Sequence, residues 1–483
     1  MKNFEKPAKA DGESGKESAL KKGILFIFFA NALSLVVSLV SGFFLPRFLS
    51  VPSYAELKSF QLYISYIGVL HFGYLDGIYI RFGGKNMRDI LRPDMDRMRT
   101  NIFVLQAGLS VLFACVGIML KNAAVLVFAL CLIPENVSTL YKNLFQATGE
   151  YTRYSRVLNV RSVITLLSYV ILLFVVKTDN YIWYTLVYLL NMLVIWLYTE
   201  IDMRTRFKFG FRPQLSLSSF KADTRTGIVL MLGNFAVILL TGIDRWFVKF
   251  LFAKEYFAYY SFAVNIQTML NTFIIPISTT LYNYLCRITD IMKIKRIKEM
   301  CLSFGLYLIS SAFIIRLIVE NFIGKYILSL NVLFLLFASQ LLYLLIQSVY
   351  VNIYKARKMQ SRYLKQLVIV LALGVVYNII FYIIMRSMEG IAIGTLLSVI
   401  SWYVICLKSV PELNFGWKHN ITLIAGLAAF LAAGYLLPAW LGFAAYIVFI
   451  TVISLIFTKE SLAATLRTGL DMVFGKFKRS KGV

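Results

Sequence analysis

The sequence predicts an all-α integral membrane protein of about fourteen transmembrane helices, from its apolar content, its runs of apolar residues and the placement of its charges. Of the 483 residues, 59% are apolar and mean hydropathy is +0.73, against ~45–50% apolar residues in an ordinary soluble domain. Apolar runs near the ~20 residues needed to cross ~30 Å of hydrocarbon recur along the whole chain. They read as spans over 23–45, 57–80, 101–120, 123–146, 157–176, 181–199, 227–251, 257–285, 300–322, 329–353, 365–385, 390–407, 420–437 and 440–457.

The basic residues alternate with these runs. Dense clusters fall in every second loop: Lys2 to Lys22, Arg81 to Arg99, Lys142 to Arg161, Arg204 to Arg225, Arg287 to Lys298, Lys355 to Lys365, Lys408 with Lys418, and Lys459 to Lys481. These hold 40 of the 50 Lys and Arg, the intervening loops only eight. Cytoplasmic loops carry the Lys/Arg excess of a membrane protein, so the split predicts an even number of crossings with both ends in the cytoplasm of a bacterial plasma membrane. The net charge of +26 then faces the anionic headgroups of the phospholipid bilayer and does not call for nucleic acid.

In chain order, residues 1–22 form a cytoplasmic tail. Lys21-Lys22 and the following apolar run look like a signal peptide with Ala30-Asn31-Ala32 as its cleavage site, but the run continues to Phe44, which favours a retained first span. Six spans over 23–199 make an N-terminal lobe. Tight turns at Lys121-Asn122 and at Lys177 to Asn180 leave no room for a folded outer domain. A cytoplasmic linker loop covers 200–226, and a second six-span lobe covers 227–407. A weak internal repeat relates the lobes: Gly23 and Asn31 match Gly227 and Asn234, and Tyr54-Ala55 matches Tyr256-Phe257-Ala258. Both halves therefore enter the membrane in the same sense, a parallel repeat of the kind that builds transporters. Two further spans at 420–457 and a basic cytoplasmic tail at 458–483 complete the chain.

The stretch Lys22 to Lys85 resembles the N-terminal region of Wzx-like oligosaccharide flippases, polysaccharide biosynthesis transporters of the MATE-like (MOP) superfamily. The segments that carry the resemblance are Phe29-Ala-Asn-Ala-Leu-Ser-Leu-Val36, Leu45-Pro-Arg-Phe-Leu49, Tyr54, Tyr66-Ile-Gly68, and His71-Phe-Gly-Tyr-Leu-Asp-Gly-Ile-Tyr79 leading to Gly83-Gly84-Lys85. Beyond these ~90 residues the likeness is one of span number and charge alternation. The resemblance implies a MATE-like arrangement of two lobes. It also implies alternating access that turns a polyprenyl-pyrophosphate-linked oligosaccharide from the inner to the outer leaflet, with a polymerase or glycosyltransferase of the same pathway as a partner.

A charge at bilayer depth is costly and marks a functional candidate. Glu135, beside Pro134 and about twelve residues into its span, is a candidate for proton or sodium coupling; the competing reading is a carboxylate bonded to a neighbouring helix. Arg245 and Arg316 are the two cations inside apolar runs. Guanidinium groups match phosphate geometry, so both are candidates for the pyrophosphate headgroup, against snorkelling for Arg245 and an i,i+4 pair with Glu320 for Arg316. Asp244, Asp76 and Glu320 join Glu135 as candidates for coupling or gating. Arg161, Asn31 and Asn234 join the headgroup candidates. The other intramembrane amides, among them Asn265, Gln267, Asn271, Gln340, Gln347 and Asn378, serve helix–helix hydrogen bonding equally well.

No enzyme signature is visible. The two histidines, His71 and His419, are far apart in sequence and the five cysteines form no C-x-x-C pair, so no metal or other cofactor is expected. Gly83-Gly84-Lys85 lacks the remainder of a phosphate loop. The competing functions are an ion-coupled drug or cation antiporter of the same superfamily, a lipid II flippase, and a membrane polysaccharide polymerase or ligase. The last would want a large outer loop with catalytic Arg or His.

Overall fold

The computed structural model describes residues 36–210, 212–288 and 290–467, and these are almost wholly helical, with no strand among them. The fourteen anticipated spans appear in three forms. Eleven contain helices long and apolar enough to cross a membrane, the seventh continuing into a short second helix and the ninth turning at Ser310. The described part of the first is a shorter apolar helix, α1 (Val36–Phe48). The second and eighth are each broken into two: α2 (Val51–Ile64) with α3 (Tyr74–Phe82), and α10 (Lys254–Met269) with α11 (Asn271–Leu285). The remaining elements are α4 (Arg92–Met119), α5 (Ala123–Ala147), α6 (Tyr151–Val176), α7 (Tyr181–Thr205), α8 (Leu217–Leu240), α9 (Ile243–Leu251), α12 (Ile291–Phe322), α13 (Gly324–Ala356), α14 (Gln360–Met385), α15 (Met388–Ser409), α16 (Trp417–Leu436) and α17 (Ala439–Phe457).

The tight turns have a common chemistry. Lys121, Lys177 and Arg386 each adopt a left-handed φ of 47–53°, ending one helix. Within three residues an Asn or Ser caps the next: the Asn122 side chain accepts from the Ala124 and Val125 amides, Asn180 from Ile182, and Ser387 from Gly390. A left-handed C-terminal residue followed by a side-chain N-cap satisfies donors at the turn that no intrahelical bond can reach.

The chain divides into two compact units, Met1–Phe235 and Ala236–Val483. The span expected to begin at 227 is α8 and α9 together, with the division falling inside α8. Of the described residues of the anticipated linker loop 200–226, only 206–210 and 212–216 are outside helix, because α7 continues to Thr205 and α8 starts at Leu217. Asn31 and the tail 1–22 lie outside the described residues.

In the first unit α3 crosses α8 at three glycines. A Cβ added to Gly77 would lie 1.9 Å from the Asp223 carbonyl oxygen, and one on Gly227 would lie 2.1 Å from that of Gly73. Only glycine lets the two backbones meet this closely. In the second unit α16 and α17 pack against α12 and α13: Phe313 lies against Phe334, Phe430 and Tyr446, and the Tyr446 hydroxyl donates to the Leu306 carbonyl. The two added spans are therefore integral to the core of that unit.

Breaking a helix in the apolar layer frees backbone groups that need new partners. In the first unit Gln106 donates to the Leu70 carbonyl at 3.0 Å, and Asn136 donates to Gln106 at 3.0 Å, stapling the α2–α3 break. Amides also gather at the α10–α11 break of the second unit, where Gln267 donates to Gln340 and Gln340 to Asn271. These helix–helix amides hold the breaks in place.

Candidate functional site

Polar groups converge at two cavities, one in each unit. In the first, Glu135 follows Pro134 on α5 and accepts from Lys142 Nζ at 2.9 Å; Arg161 Nη1 of α6 lies 3.6 Å from the same oxygen. At ~1.5 Å per residue, Glu135 lies ~18 Å from either end of α5, whereas Arg161 lies ~15 Å from the start of α6, only a few residues past its polar first turns. Two cations share one carboxylate, so this cluster carries a net positive charge. Arg161 also lines a cavity of 290 Å³ whose walls include Ser38 and Ser41 of α1, Thr165 and Tyr169 of α6, and Tyr188 and Asn191 of α7. Asn191 is buried; its Nδ2 donates to the Val187 carbonyl at 2.9 Å, and its Oδ1 has no partner among the described residues.

In the second unit Asp244, at the start of α9, is buried. Its carboxylate accepts from the Tyr260 hydroxyl at 2.8 Å and from the Arg245 backbone amide at 2.7 Å. It lines a cavity of 90 Å³ with Thr241, Gln340, Asn378, Thr395 and Trp402. Both amide atoms of Asn378 and the Trp402 indole nitrogen are buried and have no partner among the described residues. A buried polar atom without a partner costs ~1–3 kcal/mol, and a carboxylate beside such groups makes the cavity fit for a small polar or cationic occupant.

The other anticipated residues are placed as follows. Arg245 reaches the Thr241 carbonyl only at 3.4 Å, and its Nε is unpartnered. Arg316 is fully engaged: it donates to Glu320 at 2.7 Å and to the carbonyls of Gly434 and Leu437 at 2.7 and 2.9 Å, closing the C-terminus of α16. Asp76 of α3 is 3.8 Å from His71, while Arg81 pairs with Asp223 across the glycine crossing at 3.4 Å. Asn234 is exposed. Thus Arg245 and Asp244 share one short helix, whereas Arg316 and Glu320 belong to a helix cap.

Three buried cations escaped sequence reasoning: Lys58, which donates to Gln61 at 2.8 Å, and two at the ends of basic clusters, Arg99 and Lys298. Arg99, 2% exposed, donates to the Tyr141 hydroxyl at 2.5 Å, to the Gly210 carbonyl at 2.7 Å and to Glu200; Tyr141 also donates to Glu200. Lys298, 0% exposed, lies over the rings of Phe415, Tyr350 and Tyr403 and donates to the Tyr350 hydroxyl and the Leu413 carbonyl. Arg99 and Lys298 each close a basic cluster that reads in sequence as a solvated loop. The one available signal was that an apolar run follows each immediately. Among the described residues no group of three or more metal-ligating side chains comes together.

Taken together, the eleven long apolar helices define a multi-pass integral membrane protein. No family profile matches the sequence, and no curated protein does. Solved structures do. The fold is similar to that of the lipid II flippase MurJ in its inward closed conformation, with a TM-score of 0.67 at 14% identity, covering 91% of this chain and 99% of that one. It is also similar to a MATE transporter in the straight conformation, TM-score 0.46 at 15% identity, covering 81% and 94% of the two chains. An outward-facing multidrug resistance MATE transporter of the MOP superfamily gives 0.44 at 13% identity, covering 84% and 96%.

Proposed function

We propose that this protein carries a polyprenyl-pyrophosphate-linked oligosaccharide from the cytoplasmic to the outer leaflet of a bacterial plasma membrane during surface polysaccharide synthesis. It acts as a Wzx-like flippase working by alternating access. The observation that carries the reading is the cluster in which Lys142 and Arg161 share Glu135 within the helices of the first unit. An uncompensated cation in the apolar layer is expensive, and an anionic headgroup neutralises it. A cation antiporter would want the opposite sign there. The Asp244 cavity supplies the coupling site: a carboxylate beside neutral amide and hydroxyl oxygens takes a sodium ion or a proton, whose gradient then drives the cycle.

The test is reconstitution into liposomes with a fluorescent polyprenyl-pyrophosphate-linked oligosaccharide, scoring leaflet exchange with and without a sodium or proton gradient. We expect transfer above protein-free vesicles that responds to one gradient and loses that response in Asp244→Asn. No transfer, alongside export of a small cationic dye, overturns the reading in favour of an antiporter. A parallel arm with lipid II separates the peptidoglycan precursor, which shares the pyrophosphate chemistry, from the oligosaccharide.

A further inference from the structure

We propose that the first unit binds an anionic glycerophospholipid in a lipid-facing groove between α4 and α7, at the basic end of both helices. The groove lies apart from the first-unit cavity described above, and the proposal stands whatever cargo the protein carries.

The groove follows from how three helices pack. α5 packs against both α4 and α7, so it forms a floor with those two as walls. At the basic end a cavity of 310 Å³ opens, lined by Phe103 of α4, Tyr141 of α5, and Trp196, Leu197 and Arg204 of α7. That volume stands at the lower end of the ~300–1,000 Å³ range of small-molecule sites, room for a glycerophosphate headgroup. On α7, Leu197 and Glu200 line this cavity, nine residues after Tyr188 and Asn191, which line the other. Nine residues are two and a half turns, so the two cavities lie on opposite faces of α7.

Two observations say what occupies the groove. The first is charge. Arg99 and Arg204 share the cavity wall with a single carboxylate, Glu200. Both oxygens of Glu200 are engaged: one accepts from Arg99 and from Arg204 Nε at 3.0 Å, the other from the Tyr141 hydroxyl at 2.6 Å. Two guanidinium groups against one carboxylate leave a net positive charge. Arg204, with 58% of its side chain exposed, presents it at the mouth. An anionic headgroup answers that charge, and guanidinium suits its phosphate. The ammonium of a zwitterionic lipid would instead meet two cations and a carboxylate already held.

The second observation is the apolar track that leads away from the charge. Leu190, Leu193, Leu197 and Ile201 recur at helical spacing on α7 and are all exposed, as are Phe103 and Val104 on α4. The floor stays open as well: Leu130, seven residues before Val137 on the same face of α5, is 57% exposed. Acyl chains fit such a track; a soluble phosphate has no use for it. Height agrees too. The apolar run of α7 gives way to Glu200, Asp202, Arg204 and Arg206, which puts Arg204 at headgroup level with the track beside hydrocarbon. Basic pockets between helices at that level suit anionic headgroups.

Trp196 lies in the groove wall and reports on it. The purified full-length protein is placed in nanodiscs of a zwitterionic host lipid. A small fraction of phosphatidylglycerol or of phosphatidylethanolamine, brominated on its acyl chains, is included. The difference in tryptophan quenching between wild type and Trp196→Phe isolates the signal from the groove. Arg204→Gln and Arg204→Lys test the charge, with thermal unfolding as the check on folding. Brominated phosphatidylglycerol should quench Trp196 at about fivefold lower mole fraction than brominated phosphatidylethanolamine, the effect of about one basic residue at a membrane surface. Arg204→Gln should abolish that preference and Arg204→Lys retain it. Equal quenching by the two lipids, or a preference untouched by Arg204→Gln, overturns the proposal. So does loss of the preference on adding an excess of glycerol phosphate, which would make this a site for a soluble phosphate.

Discussion

In the first unit several buried charges are met by opposite charge, although Lys58 donates to the neutral Gln61 amide at 2.8 Å. Arg99 binds Glu200, Arg153 binds Asp202 and Glu150, Arg81 faces Asp223, and Lys142 and Arg161 share Glu135. In the second unit, buried charge is met by neutral dipoles and rings. Lys298 sits among aromatic faces and a carbonyl, Arg316 on helix-end carbonyls as well as Glu320, and Asp244 on a tyrosine hydroxyl and a backbone amide. The order of helices is nevertheless similar, each unit having a broken span followed by four long helices. One repeated architecture thus tolerates two ways of solvating charge, and the choice decides what each unit has to spare: a cation in the first, a carboxylate in the second.

The sharpest way to break this comparison is to remove the central cation of each unit. Arg99→Leu takes from Glu200 its buried partner, leaving it Arg204 at 3.0 Å and the Tyr141 hydroxyl, and also strands the Gly210 carbonyl; loss of one partner of a buried ion pair costs up to about 3–5 kcal/mol. Lys298→Met strands only a hydroxyl and a carbonyl, at about 1–3 kcal/mol. Thermal or denaturant unfolding of the purified variants checks the ranking, and equal losses would erase the distinction. Next comes the glycine crossing. Gly227→Val drives a side chain into the Gly73 carbonyl and should cost about 1–3 kcal/mol. Gly374→Ala in the second unit meets only the Ser398 hydroxyl, at 3.0 Å, and should cost less than about 1 kcal/mol. Folded yield and melting temperature distinguish them.

Asp244→Asn keeps an acceptor for Tyr260 but removes the charge, so we expect a stability change of about 1 kcal/mol or less and loss of ion-dependent transport. Retained ion dependence would take the coupling role from the second unit. Smallest of all, Arg316→Gln removes part of a helix cap. It should lower stability by about 1 kcal/mol and leave transfer rates nearly unchanged; a large fall in transfer would return Arg316 to the transport path.

The sequence displayed the turns and the spans well because both are local. Lys121-Asn122 and Lys177 to Asn180 read as tight connections and are capped turns. The depth of Glu135 followed from counting along α5. What stayed hidden depends on partners distant in the chain: Arg99 meets a carboxylate 101 residues away, and Lys298 meets Leu413 across 115 residues. The pair of Arg316 with Glu320 was legible as an i,i+4 spacing, but the carbonyls Arg316 also caps lie more than a hundred residues further on. Aromatic rings around a lysine leave no periodic trace. The breaks in the second and eighth spans were also missed, since an apolar run reads the same whether it is one helix or two.

The amide staple at the first break bears on how the chain enters the membrane at all. The second span consists of helices of 14 and 9 residues, each shorter than the ~20 residues that partition as an independent spanning unit. Its freed carbonyls find their donors on Gln106 and Asn136, residues that leave the ribosome later, on the third and fourth spans. The second segment is therefore held in lipid by the two spans that follow it in synthesis, which ties those three spans together.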